Sequence, residues 1–165
     1  MTETPAALRA DLDARITVEL ASVVAGARRR AHRDGDGQID TAHLLHSLVE
    51  SDPEVRDVFA DDGQVVRVLG YLVQRSIGYG LRWHGTVEDS GAMPRVAPGG
   101  LGGWSPPAVL AMERALRRAG RRGAERAAGV DLLASLAADA ECRAVEVLSR
   151  AGVDAAALAW RIAGG

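Results

Sequence analysis

The chain has 165 residues and a net charge of −2, and all 20 of its basic residues are arginines. The absence of lysine excludes the phosphate-binding loop of P-loop hydrolases, kinase-type ATP binding and Schiff-base catalysis, since each needs a lysine amine. Only 4% of the residues are aromatic within a 47% hydrophobic content, which favours helices packed on helices.

The cellular setting follows from a few simple features. The single cysteine, Cys142, cannot form an internal disulfide. The first residues lack the pattern of a signal peptide, and no apolar run approaches the roughly 20 residues that span a membrane. We therefore expect a cytoplasmic protein with no membrane partner.

Four helices are predicted in the first half, after a short leading helix over residues 6–13. Thr17 is the predicted N-cap of the first helix and Thr41 that of the second, because a threonine oxygen can accept an early backbone N–H. Pro53 marks the first turn of the third helix. The fourth helix is predicted from about residue 64 to residue 77.

The middle of the chain changes character. Residues 78–103 are rich in glycine and proline and are predicted to form a linker. Beyond it, Ser105 is the predicted cap of a fifth helix, with Pro106 at its first position. Three more helices follow, the last capped by Asp154 and running to Ile162.

The two halves carry one sequence pattern twice, in residues whose numbers differ by 88. The shift carries Thr17 to Ser105 and Leu44 to Leu132 without a gap. A repeat sets the architecture, so an all-α bundle with pseudo-two-fold symmetry is predicted. Six leucines should form its shared core: Leu44, Leu45, Leu48, Leu132, Leu133 and Leu136.

The repeated pattern resembles the double Clp repeat of the N-terminal domain of Clp/Hsp100 ATPases. That family shows a capping threonine, an alanine-rich helix, a glycine turn and the segment Ile-Gly-Thr-Glu-His-Leu-Leu. The first copy matches it at residues 39–45, which read Ile-Asp-Thr-Ala-His-Leu-Leu, and the second matches more loosely at residues 127–133.

The resemblance implies one domain, residues 1–165, that contains two four-helix repeats. The repeats would cover about residues 17–77 and 104–163. In the family, this domain docks adaptors and substrates for an ATPase that follows in the same chain. Here no ATPase modules follow, so we expect a free-standing, non-catalytic module without a cofactor or metal.

The expected partners are peptides, protein clients or Clp adaptors, and cyclic peptide antibiotics that dock on actinobacterial relatives. By the resemblance, ligands meet the first helix of each repeat and the aromatic residue before the second cap. The residues at those positions are Thr17, Arg28, Trp104, Ser105, Val109 and Glu113. Phosphoarginine recognition would use the glutamate of each Thr-Glu-His motif, where Ala42 and Val130 stand instead, so it is not expected.

Two segments have some of the features of a metal site. Residues 32–43 resemble a calcium loop, but histidines occupy its first and last ligand positions, so a turn between helices is favoured. His43 and His46 lie three residues apart with no third ligand apparent, which favours a packed or capping histidine.

The sequence offers less support for nucleic-acid binding or for catalysis by the cysteine. The arginines at 28–30 and 117–122 could contact phosphates, but no stacking aromatics accompany them, so a solvated helix face is favoured. Cys142 has no neighbouring histidine to activate it. Trp160 is expected in the core and Trp104 at the ligand. A nucleic-acid-binding regulator and a metal-binding or enzymatic protein on this scaffold are the alternatives.

Overall fold

A computed structural model of the chain describes residues 11–76 and 103–164. Residues 11–14 are helical and eight further helices follow within these ranges, without any strand, which confirms the predicted all-α class. The predicted linker, residues 78–103, lies outside the described residues except for Gly103. The helices are α1 (Val18–Arg33), α2 (Thr41–Ser51), α3 (Pro53–Val58), α4 (Asp62–Ser76), α5 (Pro106–Arg121), α6 (Gly129–Ala137), α7 (Arg143–Arg150) and α8 (Ala155–Ile162).

The first helix of each repeat starts as predicted. Thr17 Oγ1 accepts the backbone N–H of Leu20 at 3.1 Å, and Ser105 Oγ accepts that of Ala108 at 3.3 Å. α1 and α5 begin and end 88 residues apart. Local sequence therefore determines these two helices, because a side-chain cap satisfies an otherwise unpaired N–H at each start.

The predicted cap of α2 is wrong by one residue. Asp40 is the N-cap: its Oδ1 accepts the N–H of His43 at 2.8 Å, and its own N–H donates to His43 Nδ1 at 3.0 Å. Thr41 is already helical, and its Oγ1 accepts the N–H of Ala144 at 3.0 Å. The threonine hydroxyl thus joins the two repeats, while the aspartate before it caps the helix.

Two isolated parallel bridges show the pseudo-symmetry directly. Ile16 pairs with Ala127, and Trp104 pairs with Ile39. The 88-residue shift converts each pair into the other, which is what a two-fold axis between the repeats requires. The backbone bonds exchange as well: Thr17 N–H donates to Ala127 O and Ser105 N–H donates to Ile39 O, both at 2.9 Å.

The repeats also interlock through their third helices. α3 of the first repeat packs on α6 of the second, and α7 of the second repeat packs on α2 of the first. Arg143 Nη1 lies 2.8 Å from Asp40 Oδ2 across this contact, and Arg67 Nε donates to Ala151 O at 3.0 Å. Each repeat therefore completes the other's core.

The six predicted core leucines are all fully buried, which confirms them. Alanines fill most of the contact surface of α1 and α5, since Ala27, Ala31, Ala115 and Ala119 are buried there. Small side chains let these helices lie close to α2 and α6. None of the described helices combines the length and the apolar character that crossing a bilayer would need.

Candidate functional site

The two described tryptophans occupy places opposite to those predicted. Trp104 is only 2% exposed and lies in the core beside Ile39, whereas Trp160 is 67% exposed. α8 buries Leu158, and Trp160 lies two residues further on, about 200° around the helix. The expectation that Trp160 is a core residue is therefore wrong, because the buried face of its helix belongs to Leu158.

An open apolar groove lies beside Trp160, bounded by α7, α8 and the end of α6. Its volume is about 750 Å³, within the usual range for ligand pockets. Alanines and valines supply most of its walls, among them Ala138, Val145, Val153 and Ala156. The groove was not predicted from the sequence, although Trp160 lies two residues after Leu158 and so cannot share its face of the helix.

The sequence-predicted site residues divide into caps and surface residues. Thr17 and Ser105 use their hydroxyl oxygens to cap α1 and α5, and Ser105 is fully buried. Val109 packs partly against the core, while Arg28 and Glu113 are exposed on α1 and α5. Contact of these residues with a ligand stays a prediction.

The predicted capping role of His43 is confirmed, and its geometry bears on metal binding. Nδ1 accepts the Asp40 N–H, so the proton of the neutral ring is assigned to Nε2, which lies 2.9 Å from Asp36 Oδ2. Asp34, Asp36 and His43 could each offer one ligand atom within a 4.8 Å span. A metal at Nε2 would have to displace that proton while Nδ1 still accepted a hydrogen bond, so the contacts favour a cap.

Burial and the neighbouring carboxylates have opposite effects on the pKa of His43. Burial lowers the pKa of His43, but the hydrogen bond to Asp36 and the carboxylates of Asp40, Asp36 and Asp34 together outweigh it, and the pKa is raised. The ring is thus held among three aspartates and completes the capping box that Asp40 begins.

His46 is buried one turn further along α2. Burial and then the charge of Arg30 lower the pKa of His46 to about 4. Its Nε2 lies 3.5 Å from Glu50 Oε2, which also accepts a hydrogen bond from Arg30 Nη2 at 2.9 Å. Glu50, which is exposed, therefore links α1 to α2 at the surface of the first repeat.

The residue at the third position of the helix has the opposite charge in the second repeat. Asp131 stands where the first repeat has His43, and its Oδ2 accepts the N–H of Ala128 at 2.8 Å. Arg122, the counterpart of Asp34, donates Nε to Asp131 Oδ1 at 3.0 Å and Nη2 to Oδ2. In the first repeat His43 Nε2 lies 3.9 Å from Asp34 Oδ2, so an acid–base pair joins the same two positions in both repeats, with the signs exchanged.

No protein-family model and no curated protein matches the chain. Solved structures do match over most of its length. The N-terminal domain of ClpD, a caseinolytic protease associated chaperone from Arabidopsis thaliana, is 18% identical with a TM-score of 0.63, over 91% of this chain and 93% of that one. The Hsp104 N-terminal domain from Candida albicans is 11% identical with a TM-score of 0.66, over 90% and 89%.

A third match comes from structural investigations of a malarial protein secretion system, at 12% identity and a TM-score of 0.62, over 90% and 92%. Identities this low establish a shared fold. Together with the exchanged bridges and interlocked repeats, they show that the chain has the fold of the N-terminal domains of Clp/Hsp100 chaperones.

Proposed function

We propose that the chain is a non-catalytic docking module that binds polypeptides. Its fold is shared with the N-terminal domain of ClpD, a caseinolytic protease associated chaperone, and with the N-terminal domain of Hsp104. The observation that carries the proposal is the groove beside Trp160. A tryptophan exposed to 67% over an apolar groove is a suitable anchor for a partner's apolar side chain.

The groove suits short apolar side chains in an extended or helical segment. Its walls are mainly methyl groups of alanine and valine, and Asp154 and Ser149 stand among them. Apolar contact would provide the affinity, and the few polar groups would orient the segment. Binding of this kind selects for local apolar character rather than for one sequence.

The exposed faces of α1 and α5 form the second part of the proposal. Arg28 and Glu113 are exposed there, with Leu110 and Val18 as exposed apolar neighbours on the same helices. Clp adaptors, clients or cyclic peptide antibiotics are the ligands proposed for this surface. A module that holds them would sequester antibiotics or compete for clients.

The test measures binding of a fluorescently labelled, permanently unfolded model protein by anisotropy. Trp160→Ala should weaken binding by at least about tenfold, because the anchor of the groove is lost. Val66→Ala is the matched control, since Val66 is also 67% exposed but lies on α4. Equal affinity of the Trp160→Ala variant and the wild type would rule out the groove.

A second variant separates the two surfaces. Arg28→Ala combined with Glu113→Ala changes only exposed side chains and should leave the fold intact. Loss of cyclic-peptide binding in this variant alone would support the α1 and α5 surface. Binding of neither an unfolded protein nor cyclic peptides by the wild type would overturn the proposal.

A further inference from the structure

Four arginines of α5 surround a cleft against α6. Arg114, Arg117, Arg118 and Arg121 line it, and Ala134, Ser135 and Ala138 complete it, with a volume of about 280 Å³. No carboxylate lines this cleft among the described residues. Arg118 Nε lies 3.3 Å from the buried Asp131, but Arg114, Arg117 and Arg121 form no ion pair within the described part of the chain.

In the first repeat, a carboxylate of the chain itself lies at the position that corresponds to this cleft. Arg30 corresponds to Arg118 under the 88-residue shift, and its Nη2 lies 2.9 Å from Glu50 Oε2. His46 occupies the same space, with Nε2 3.5 Å from Glu50. The first repeat therefore provides its own carboxylate to the arginine of its first helix.

The second repeat has no carboxylate at the position of Glu50; Arg118 instead contacts the buried Asp131 and donates Nη2 to Ile162 O at 3.2 Å. Ala138 stands where the first repeat has Glu50, and Ala134 stands where it has His46. Arg114 replaces Gly26 at the same time, so the cleft gains a positive charge while it loses a negative one. The exchange leaves an arginine-lined space of the kind that carboxylates occupy through paired hydrogen bonds.

Helix-end electrostatics do not account for the whole cluster. Arginines in the last turn of a helix are stabilised by its partial negative charge, and Arg118 and Arg121 lie in the last turn of α5. That effect fades within one turn, and Arg114 and Arg117 lie further from the helix end. The chain as a whole carries a charge of −2, so attraction for an anion would be local to this cleft.

The cleft adjoins the apolar groove. Ala138 lines both, with the arginines on one side and the groove of Trp160 on the other. A small free anion would use only the cleft, whereas a polypeptide could place an apolar side chain in the groove and an acidic one beside the arginines. The shared wall therefore favours a polypeptide occupant.

We propose that this cleft binds an aspartate or glutamate side chain of the docked polypeptide, so that the module selects segments in which an acidic residue lies close to an apolar one. This inference rests on the proposed docking function. The ligand carboxylate takes the place that Glu50 holds in the first repeat.

The experiment compares two labelled peptides: one alternates leucine and glutamate, and its copy has glutamine at every glutamate position. The wild type should bind the glutamate peptide at least about tenfold more tightly. Arg117→Gln with Arg121→Gln should remove that preference and leave the affinity for the glutamine peptide unchanged. Raising the salt concentration from 0.1 M to 1 M should also reduce the preference, since the screening length falls from about 10 Å to about 3 Å.

The matched control is Arg29→Gln with Arg33→Gln, the equivalent exposed positions of α1, which alters net charge by the same amount. It should retain the preference. Ala138→Glu restores the carboxylate of the first repeat and should remove the preference by filling the cleft. Circular dichroism and thermal melting of each variant identify any that fails to fold, and the remaining variants decide.

The outcomes distinguish failure of the acidic-residue site from failure of the docking function. Equal binding of both peptides by the wild type would overturn the acidic-residue site and leave the docking function standing. Binding of neither peptide would overturn both. If the control variant lost the preference equally, the preference would be an effect of net charge. If inorganic pyrophosphate raised the melting temperature of the protein while neither peptide was preferred, the cleft would be a small-anion site. Either result overturns the proposal.

Discussion

Truncation of one core leucine should destabilise both repeats together. Leu45 lies on α2 and Leu133 on α6, and both are fully buried. Replacing either with alanine removes buried apolar contacts and leaves a cavity, which typically costs about 2–5 kcal/mol. Because α3 packs on α6 and α7 packs on α2, each cavity lies under helices of both repeats.

The size of the loss in unfolding free energy determines how much faster the amide hydrogens should exchange. A loss of about 3 kcal/mol corresponds to roughly 100-fold faster exchange of amide hydrogens that open only by global unfolding. With Leu45→Ala, amides of α6 and α7 should therefore lose protection as strongly as those of α2. Leu133→Ala should show the same result in reverse.

Hydrogen exchange followed by mass spectrometry measures each helix separately. Val18→Ala is the control, since Val18 is 75% exposed and its truncation should change stability by less than about 0.5 kcal/mol. Unchanged protection in the unmutated repeat would refute the reasoning, because the repeats would then be independent domains. The single-domain organisation predicted from the sequence depends on this result.

Three further substitutions test individual contacts. Gly129→Ala should destabilise the chain by about 1–3 kcal/mol in urea denaturation, because the added Cβ would overlap Asp52 Oδ2 and crowd Leu48 and Val55 at 3.2 Å; an increase in stability would contradict the packing of α3 on α6. Asp131→Asn should cost about 1–3 kcal/mol, since it removes the buried negative charge that pairs with Arg118 and Arg122 and one of the two oxygens that accept from them; a double-mutant cycle with Arg122→Gln should show positive coupling, and strictly additive losses would show that the pair is not coupled. The lowered pKa of His46, about 4 against 6.5, means that the unfolded chain binds this proton more tightly, so stability should fall by up to roughly 3 kcal/mol as pH drops from 6.5 to 4. His46→Gln should show a smaller fall over that range in parallel denaturation curves, and an identical fall would assign the effect to other groups.

The sequence alone determined the helices, the caps at Thr17 and Ser105, and the leucine core. These depend on neighbours within one turn, or on a pattern repeated at a constant spacing of 88 residues. Apolar residues three and four apart predict a buried helix face wherever the helix packs. A side-chain oxygen before the first turn caps a helix with little help from the rest of the chain.

Which surfaces remain open depends on contacts that form when the helices pack together. Trp104 and Trp160 look alike as isolated aromatics, but one lies at the junction of the repeats and the other lies beyond the buried face of α8. The arginine cleft depends on the absence of a carboxylate at Ala138, a position 20 residues from Arg118 in sequence and adjacent to it in the cleft. Exposure and charge pairing arise from contacts between helices, and sequence spacing within a single helix does not specify them.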